Sequence, residues 1–170
     1  MIEGNPSVFA TLMSAIIAAS VAIIVFALTQ FITNRRERSK LLTQKLEELY
    51  ILVNEVFEKN ADRCERYKAA SLGDEDALGY FIKTHSTEVY GHSRAKKIIM
   101  YIRLYFPELT YVHQHAFKAE AKVNHALYKI HTGSMESFDK IFELSGAFGQ
   151  LMRLMEKEII ENYAKLVRAN

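Results

Sequence analysis

The sequence predicts an all-α protein: an N-terminal transmembrane helix followed by a cytoplasmic antiparallel bundle of four to five helices. Three observations carry that reading. Residues 8–33 form a run of 26 positions without a charge, a Gly or a Pro, and 20 of them are apolar. A basic cluster, Arg35-Arg36-Glu37-Arg38-Ser39-Lys40, follows at once, whereas the only charge before the run is Glu3. The remainder repeats its apolar residues at helical spacing and is poor in breakers, with seven Gly and two Pro in all 170 residues.

The averages of the chain conceal this layout. A composition of 49% apolar and 25% charged residues, with a mean hydropathy of −0.06, is that of an ordinary globular chain. It excludes collagen, low-complexity disorder and a Gly-rich all-β array. The lone Cys64 excludes an intramolecular disulfide framework and any multi-Cys zinc or iron–sulfur site. A net charge of +2 gives no global nucleic-acid signature, so no nucleic-acid partner is expected. That charge is unevenly placed: residues 34–45 carry +4, while residues 46–170 hold 17 Lys/Arg against 18 Asp/Glu.

At 1.5 Å per residue the apolar run is about 39 Å long as a helix, enough to cross a hydrocarbon core of about 30 Å. The competing readings are a buried hairpin helix and a cleaved signal peptide. A signal peptide wants a basic start and an apolar stretch of about 7–15 residues. Residues 1–7 carry an acid and no Lys or Arg, and the run is far longer, although Ala19-Ser20-Val21-Ala22 mimics a cleavage site. The anchor is the better reading.

The positive-inside rule then places residues 1–7 outside, as a short extracytoplasmic N-terminus, and the C-terminal part in the cytoplasm. The expected location is the cell inner (plasma) membrane, with a single pass and Cys64 in a reducing compartment. The basic juxtamembrane segment, residues 34–45, offers Arg35, Arg36, Arg38 and Lys40 to anionic headgroups at about 1 kcal/mol each; its plainer role is a topology signal. Within the span, Ala10, Ser14, Ala18 and Ala22 recur every four residues. Small side chains at that interval let a second helix approach closely, which predicts a homo-oligomer, although Ala-rich spans produce such stripes by chance.

The cytoplasmic helices follow in order. Leu42, Leu46, Leu49, Val53 and Val56 keep a 4-3-4-3 spacing that continues into Asn60 and Arg63, predicting an amphipathic helix over residues 39–70. Leu41, Leu52 and Phe57 widen its apolar face beyond a coiled-coil seam. No Gly or Pro stands between Pro6 and Gly73, so span and helix join into one rod of about 90–100 Å if unbroken, with residues 35–40 as the place for a bend.

Residues 71–76 read as a turn with Asp74 or a neighbour as cap, opening a helix to about residue 87. Gly91-His92-Ser93 reads as the next soft spot, before a helix over residues 94–106. Ile98-Ile99-Met100-Tyr101-Ile102-Arg103-Leu104-Tyr105-Phe106 also suits a buried strand, but Ala95, Ile98, Ile99, Ile102 and Phe106 share one helical face. Met100, Tyr101 and Leu104 on the other side predict the most buried helix, closed by Pro107. Val112, Ala116, Ala119, Val123, Ala126, Leu127 and Ile130 predict a helix over residues 111–131. A last helix is expected over residues 137–169. Phe138, Ile141, Phe142, Ser145, Phe148, Met152, Met155, Ile159, Tyr163 and Leu166 would face inward. Gly146 and Gly149 would permit a close crossing or a kink. Residues 46–170 suffice for a bundle with its own core.

Chemistry is sparse. Neither phosphate-binding glycine motif is present. Cys64 has no base placed for it. His85, Glu88 and His92 would share one face of an unbroken helix and offer a metal two imidazoles and a carboxylate. Gly91 between the ligands, and the absence of the paired Glu-x-x-His motifs of di-iron bundles, favour a solvated or core-edge cluster instead. No cofactor is expected. His113, His115, His125 and His131 read as polar surface, and Arg94, Lys96, Lys97 and Arg103 as a solvated face.

The N-terminal span, Asn34-Arg35-Arg36-Glu37-Arg38 and Leu41-Leu42-Thr43-Gln44-Lys45-Leu46-Glu47-Glu48-Leu49-Tyr50, together with Arg103-Leu104-Tyr105-Phe106-Pro107-Glu108-Leu109, resemble a loose group of small bacterial single-span membrane proteins with a cytoplasmic helical domain. Proteins of this kind occur among prophage and accessory genes. The resemblance implies a bacterial inner membrane and carries no active site. The functional expectation is a non-enzymatic membrane-anchored interaction or scaffold protein that self-associates and binds a cytoplasmic protein partner. The alternatives are a membrane effector of the phage-defence or exclusion type, acting through oligomerisation of its span, and a helical-bundle metalloprotein.

Overall fold

The computed structural model describes residues 6–84, 89–129 and 136–168, with the backbone alone at 6–8, 82, 84 and 89–93. Among the described residues there is no strand. The order is α1 (Pro6–Ser71), α2 (Glu75–Thr84), α3 (Val89–Tyr105), a 3-10 turn (Pro107–Leu109), α4 (Thr110–Tyr128), α5 (Phe138–Glu161) and α6 (Tyr163–Leu166). The chain divides into two units, one ending at Leu41 and the other comprising Leu42–Arg168. Helix runs without interruption through residues 35–40, the place named for a bend.

In the second unit, the heptad-like spacing of α1 produces its core face. Leu42, Leu46, Leu49 and Val53 are buried, and Val56 and Leu52 lie half-buried against them. Asn60 continues the same face into the interior, where its Nδ2 donates to Ser145 Oγ of α5 at 2.7 Å. A buried polar group needs such a partner, because an unmet one costs about 1–3 kcal/mol. Tyr67 is fully buried near the end of α1; its hydroxyl donates to the Glu136 carbonyl at 2.5 Å, and its ring meets Phe81 of α2 edge-on. Gly73, with φ of +94°, lets the chain reverse there: its N–H reaches the Ala70 carbonyl and that of Asp74 the Ala69 carbonyl. Asp74 Oδ1 then accepts from the Ala77 N–H at 3.0 Å, the cap expected of it.

The apolar stretch around Ile98 is helix, not strand. Ile98, Tyr101, Ile102 and Phe106 are buried, but Met100 and Leu104 are exposed, so α3 packs on one side and is not the all-round buried helix expected. Helix α3 also begins at Val89 and passes through Gly91-His92-Ser93, so no break falls there. Pro107 ends it as expected, and the Leu109 N–H returns to the Phe106 carbonyl in the 3-10 turn. On α4, Val112, Ala116, Val123, Ala126 and Leu127 are buried, and α4 packs on α5.

The last helix differs most from expectation. Its backbone turns at Asn162, separating α5 from α6, and the Asn162 side chain donates to the Glu158 carbonyl at 3.0 Å and to its carboxylate at 2.9 Å. The Glu158 carbonyl also accepts from the Asn162 N–H at 3.1 Å, so the side chain reinforces the last backbone bond of α5. Phe142 and Tyr163, both expected inside, are exposed, whereas Ile141, Ser145, Phe148, Met152, Met155, Ile159 and Leu166 are buried. The close crossing occurs at Gly149 alone: a Cβ there would stand 3.2 Å from the Phe57 ring, while one at Gly146 would meet nothing within 4 Å.

Candidate functional site

Two regions carry functional potential, one in each unit. In the first unit, α1 presents an apolar surface that no described part of the chain covers. Its most apolar window has a mean hydropathy of 2.5 and is 0% buried. Thirteen large apolar side chains between Phe9 and Ile32 are exposed. Shielding such a side chain from water is worth about 1.5–3 kcal/mol, so together they exceed the about 5–15 kcal/mol of net stability typical of a whole protein. The hydroxyls in the segment do not oppose an apolar environment: Ser20 Oγ donates to the Ile16 carbonyl and Thr29 Oγ1 to the Val25 carbonyl, each at 2.8 Å. Bonds of this i−4 kind satisfy a hydroxyl within its own helix. The segment is long and apolar enough to cross a membrane. Ala10, Ser14, Ala18 and Ala22 are all exposed along it, as are Arg35, Arg36, Arg38 and Lys40 at its polar end.

In the second unit, α1, α3 and α4 line a partly open cavity of about 320 Å³. Val56, Ile99 and Phe117 supply apolar wall; Lys59 and Arg63 of α1 and Arg94 and Lys96 of α3 supply cations, with Glu120 of α4 as the acid among the lining residues. Arg63 donates to Asn124 Oδ1 at 2.7 Å, and Arg94 pairs with Glu55 at 3.2 Å. The predicted solvated face of α3 is therefore partly a joint with α1. Farther along α3, Tyr101 donates to Glu48, which also accepts from Lys45 at 3.0 Å and lies 3.8 Å from Lys97. The Tyr101 hydroxyl, and then Lys45, hold the Glu48 carboxyl below the usual carboxylate range.

His113, expected as plain surface, is half-buried and stacks on Phe117. Burial, and then Arg103, push it below the usual value for histidine, favouring a neutral ring. His115 is exposed and its ring lies against Tyr111, and His125 is exposed. His85, Glu88 and His131 lie outside the described residues, and the His92 side chain does too, so the proposed metal triad is not placed. Among the described residues no three His, Cys, Asp or Glu side chains gather as metal ligands. Cys64 is half-buried beside the α1–α5 crossing.

Sequence reasoning missed the cavity because its residues come from three elements and lie up to 68 positions apart, from Val56 to Asn124. A usable signal did exist for its cations: Lys59 and Arg63 are spaced four apart on α1, flanking the buried Asn60. No protein-family model, curated protein or solved structure matches the chain.

Proposed function

We propose that the chain is a non-enzymatic, single-pass membrane protein whose cytoplasmic helical domain binds a protein partner. The observation that carries this reading is the fully exposed apolar segment of α1, which needs a lipid environment to be tolerable. The span runs over residues 8–33, residues 1–7 lie outside, and the basic residues Arg35, Arg36, Arg38 and Lys40 lie at the cytoplasmic face of the inner membrane. Residues 46–170 then form an antiparallel bundle. Pairs that descend α5 as they ascend α1 support that arrangement: Tyr50 with Glu156, Phe57 with Gly149, and Asn60 with Ser145. Self-association through Ala10, Ser14, Ala18 and Ala22 completes the reading, because packing of small residues is the main force between helices in lipid.

The test is fractionation of the full chain in a bacterial cell, with reporters fused at either end. Expected are a carbonate-resistant membrane pellet, a C-terminal reporter active only in the cytoplasm, and crosslinked oligomers weakened by Ala18→Leu. Recovery in the soluble fraction overturns the anchor, and a monomer indifferent to Ala18→Leu overturns the oligomer. Dye leakage or growth arrest that needs the native span would replace the scaffold with a membrane effector.

A further inference from the structure

The cavity between α1, α3 and α4 has a composition that water fills poorly. Hydration of its apolar wall, Val56, Ile99 and Phe117, is unfavourable, and its cations give the cleft positive potential. Against Lys59, Arg63, Arg94 and Lys96 the lining offers one carboxylate, Glu120, and Glu55 lies against Arg94. Among the described residues Lys59 and Lys96 make no ion pair. One kind of occupant answers both features at once: an anionic group for the lysines, joined to an apolar body for the wall. At about 320 Å³ the space is at the lower end of the range for small-molecule sites, about 300–1,000 Å³, which fits a metabolite-sized molecule and excludes a peptide or a helix.

We propose that this cavity binds a small organic phosphate with an apolar body. The anion sits between Lys59 and Lys96, its body lies against Phe117 and Ile99, and Asn124 is placed to donate from its amide, since its oxygen is already engaged by Arg63. Three helices supply these contacts, so the ligand ties α1, α3 and α4 together and stabilises the unit by mass action. The site lies wholly within Leu42–Arg168, and it stands whether or not the first unit crosses a membrane.

The experiment is calorimetric titration of the full chain, held in nanodiscs of zwitterionic lipid, against empty discs as reference. The probes are 2-naphthyl phosphate, dihexanoyl phosphatidic acid, 2-naphthol and inorganic phosphate. One saturating site is expected for one of the first two, with 2-naphthol and inorganic phosphate at least about tenfold weaker. A preference for naphthyl phosphate assigns the site to a soluble metabolite, and a preference for the phosphatidic acid assigns it to a lipid-derived anion. Lys96→Glu and Ala121→Phe, both at exposed positions, should each weaken binding at least about tenfold while leaving helicity and the melting transition of the unliganded protein unchanged. Absence of saturation at about millimolar probe, equal binding of 2-naphthol, or binding indifferent to both substitutions overturns the proposal.

Discussion

Residues 9–33 and residues 42–70 belong to the same helix, yet they spread their apolar side chains in opposite ways. In the first stretch large apolar residues occupy every side of α1 and all are exposed. In the second they return every three or four positions, and the face they form is buried by α2, α3, α4 and α5. The difference is the solvent each half is written for: an all-round apolar helix suits lipid, and a one-sided one suits a protein core bordered by water.

The largest effect should come from charging both halves at exposed positions. Ile17→Arg combined with Ile24→Arg adds about 2.5–3.5 kcal/mol per charge to insertion, so the protein should move from the membrane pellet to the soluble or degraded fraction. Ile51→Arg lies on the same helix and is equally exposed, but faces water, so it should change the stability of the second unit by no more than about 0.5 kcal/mol. Equal responses would erase the contrast between the two halves.

The next effect belongs to the buried face. Leu49 is wholly covered, and Leu49→Ala should cost about 2–5 kcal/mol, read as a lower denaturation midpoint, whereas Ile51→Ala two positions away should be nearly silent. These were the legible parts of the fold. The spacing of Leu42, Leu46, Leu49 and Val53 encodes their burial directly, as does the placement of Pro107 and Asp74. Illegible were the sides of helices that receive no partner. Met100, Leu104, Phe142 and Tyr163 are as apolar as their buried neighbours, and only the arrangement of the other helices leaves them outside. The turn at Asn162 escaped because no Gly or Pro marks it; the signal was an Asn four residues after Glu158, able to bond that residue's carbonyl and carboxylate. The cavity was illegible for the same reason as the exposed apolar residues, since a sequence does not say which faces meet.

A smaller effect tests the polar pair inside the core. Asn60→Ala removes the donor to Ser145 Oγ and should cost about 1–3 kcal/mol. Because both residues share one bond, Asn60→Ala with Ser145→Ala should lose less than the two single variants added together, as a double-mutant cycle of unfolding free energies would show. Additive losses would mean that the bond contributes nothing specific. The two glycines opposite give a still smaller pair. Gly146→Ala should gain about 0.5–1 kcal/mol from helix propensity, as its Cβ enters open space. Gly149→Ala should gain less or lose, since the Phe57 ring at 3.2 Å must give way.

The least effect concerns the exposed ionic joint between α1 and α3. Glu48 is held below its usual value of 4.5 first by the Tyr101 hydroxyl and then by Lys45. A carboxyl depressed in the folded state binds fewer protons there than in the unfolded chain. Its contribution is therefore complete above the usual value and declines as pH falls through the folded one. Solvent screening keeps that contribution small, because the group is partly exposed. His113, also depressed, gives a separate decline that begins near its usual value of 6.5, so the two windows do not overlap at their upper ends. Unfolding free energy followed from about pH 7 to about pH 3 should thus fall in two stages, and Glu48→Gln should flatten the lower one while leaving the upper unchanged. Glu136, lowered by its bond to Lys129, keeps part of the acid slope in that variant. A profile unaltered by Glu48→Gln would show that this carboxylate adds nothing to the joint, leaving α3 held to α1 by its buried Ile98, Tyr101, Ile102 and Phe106 and by the Arg94–Glu55 pair.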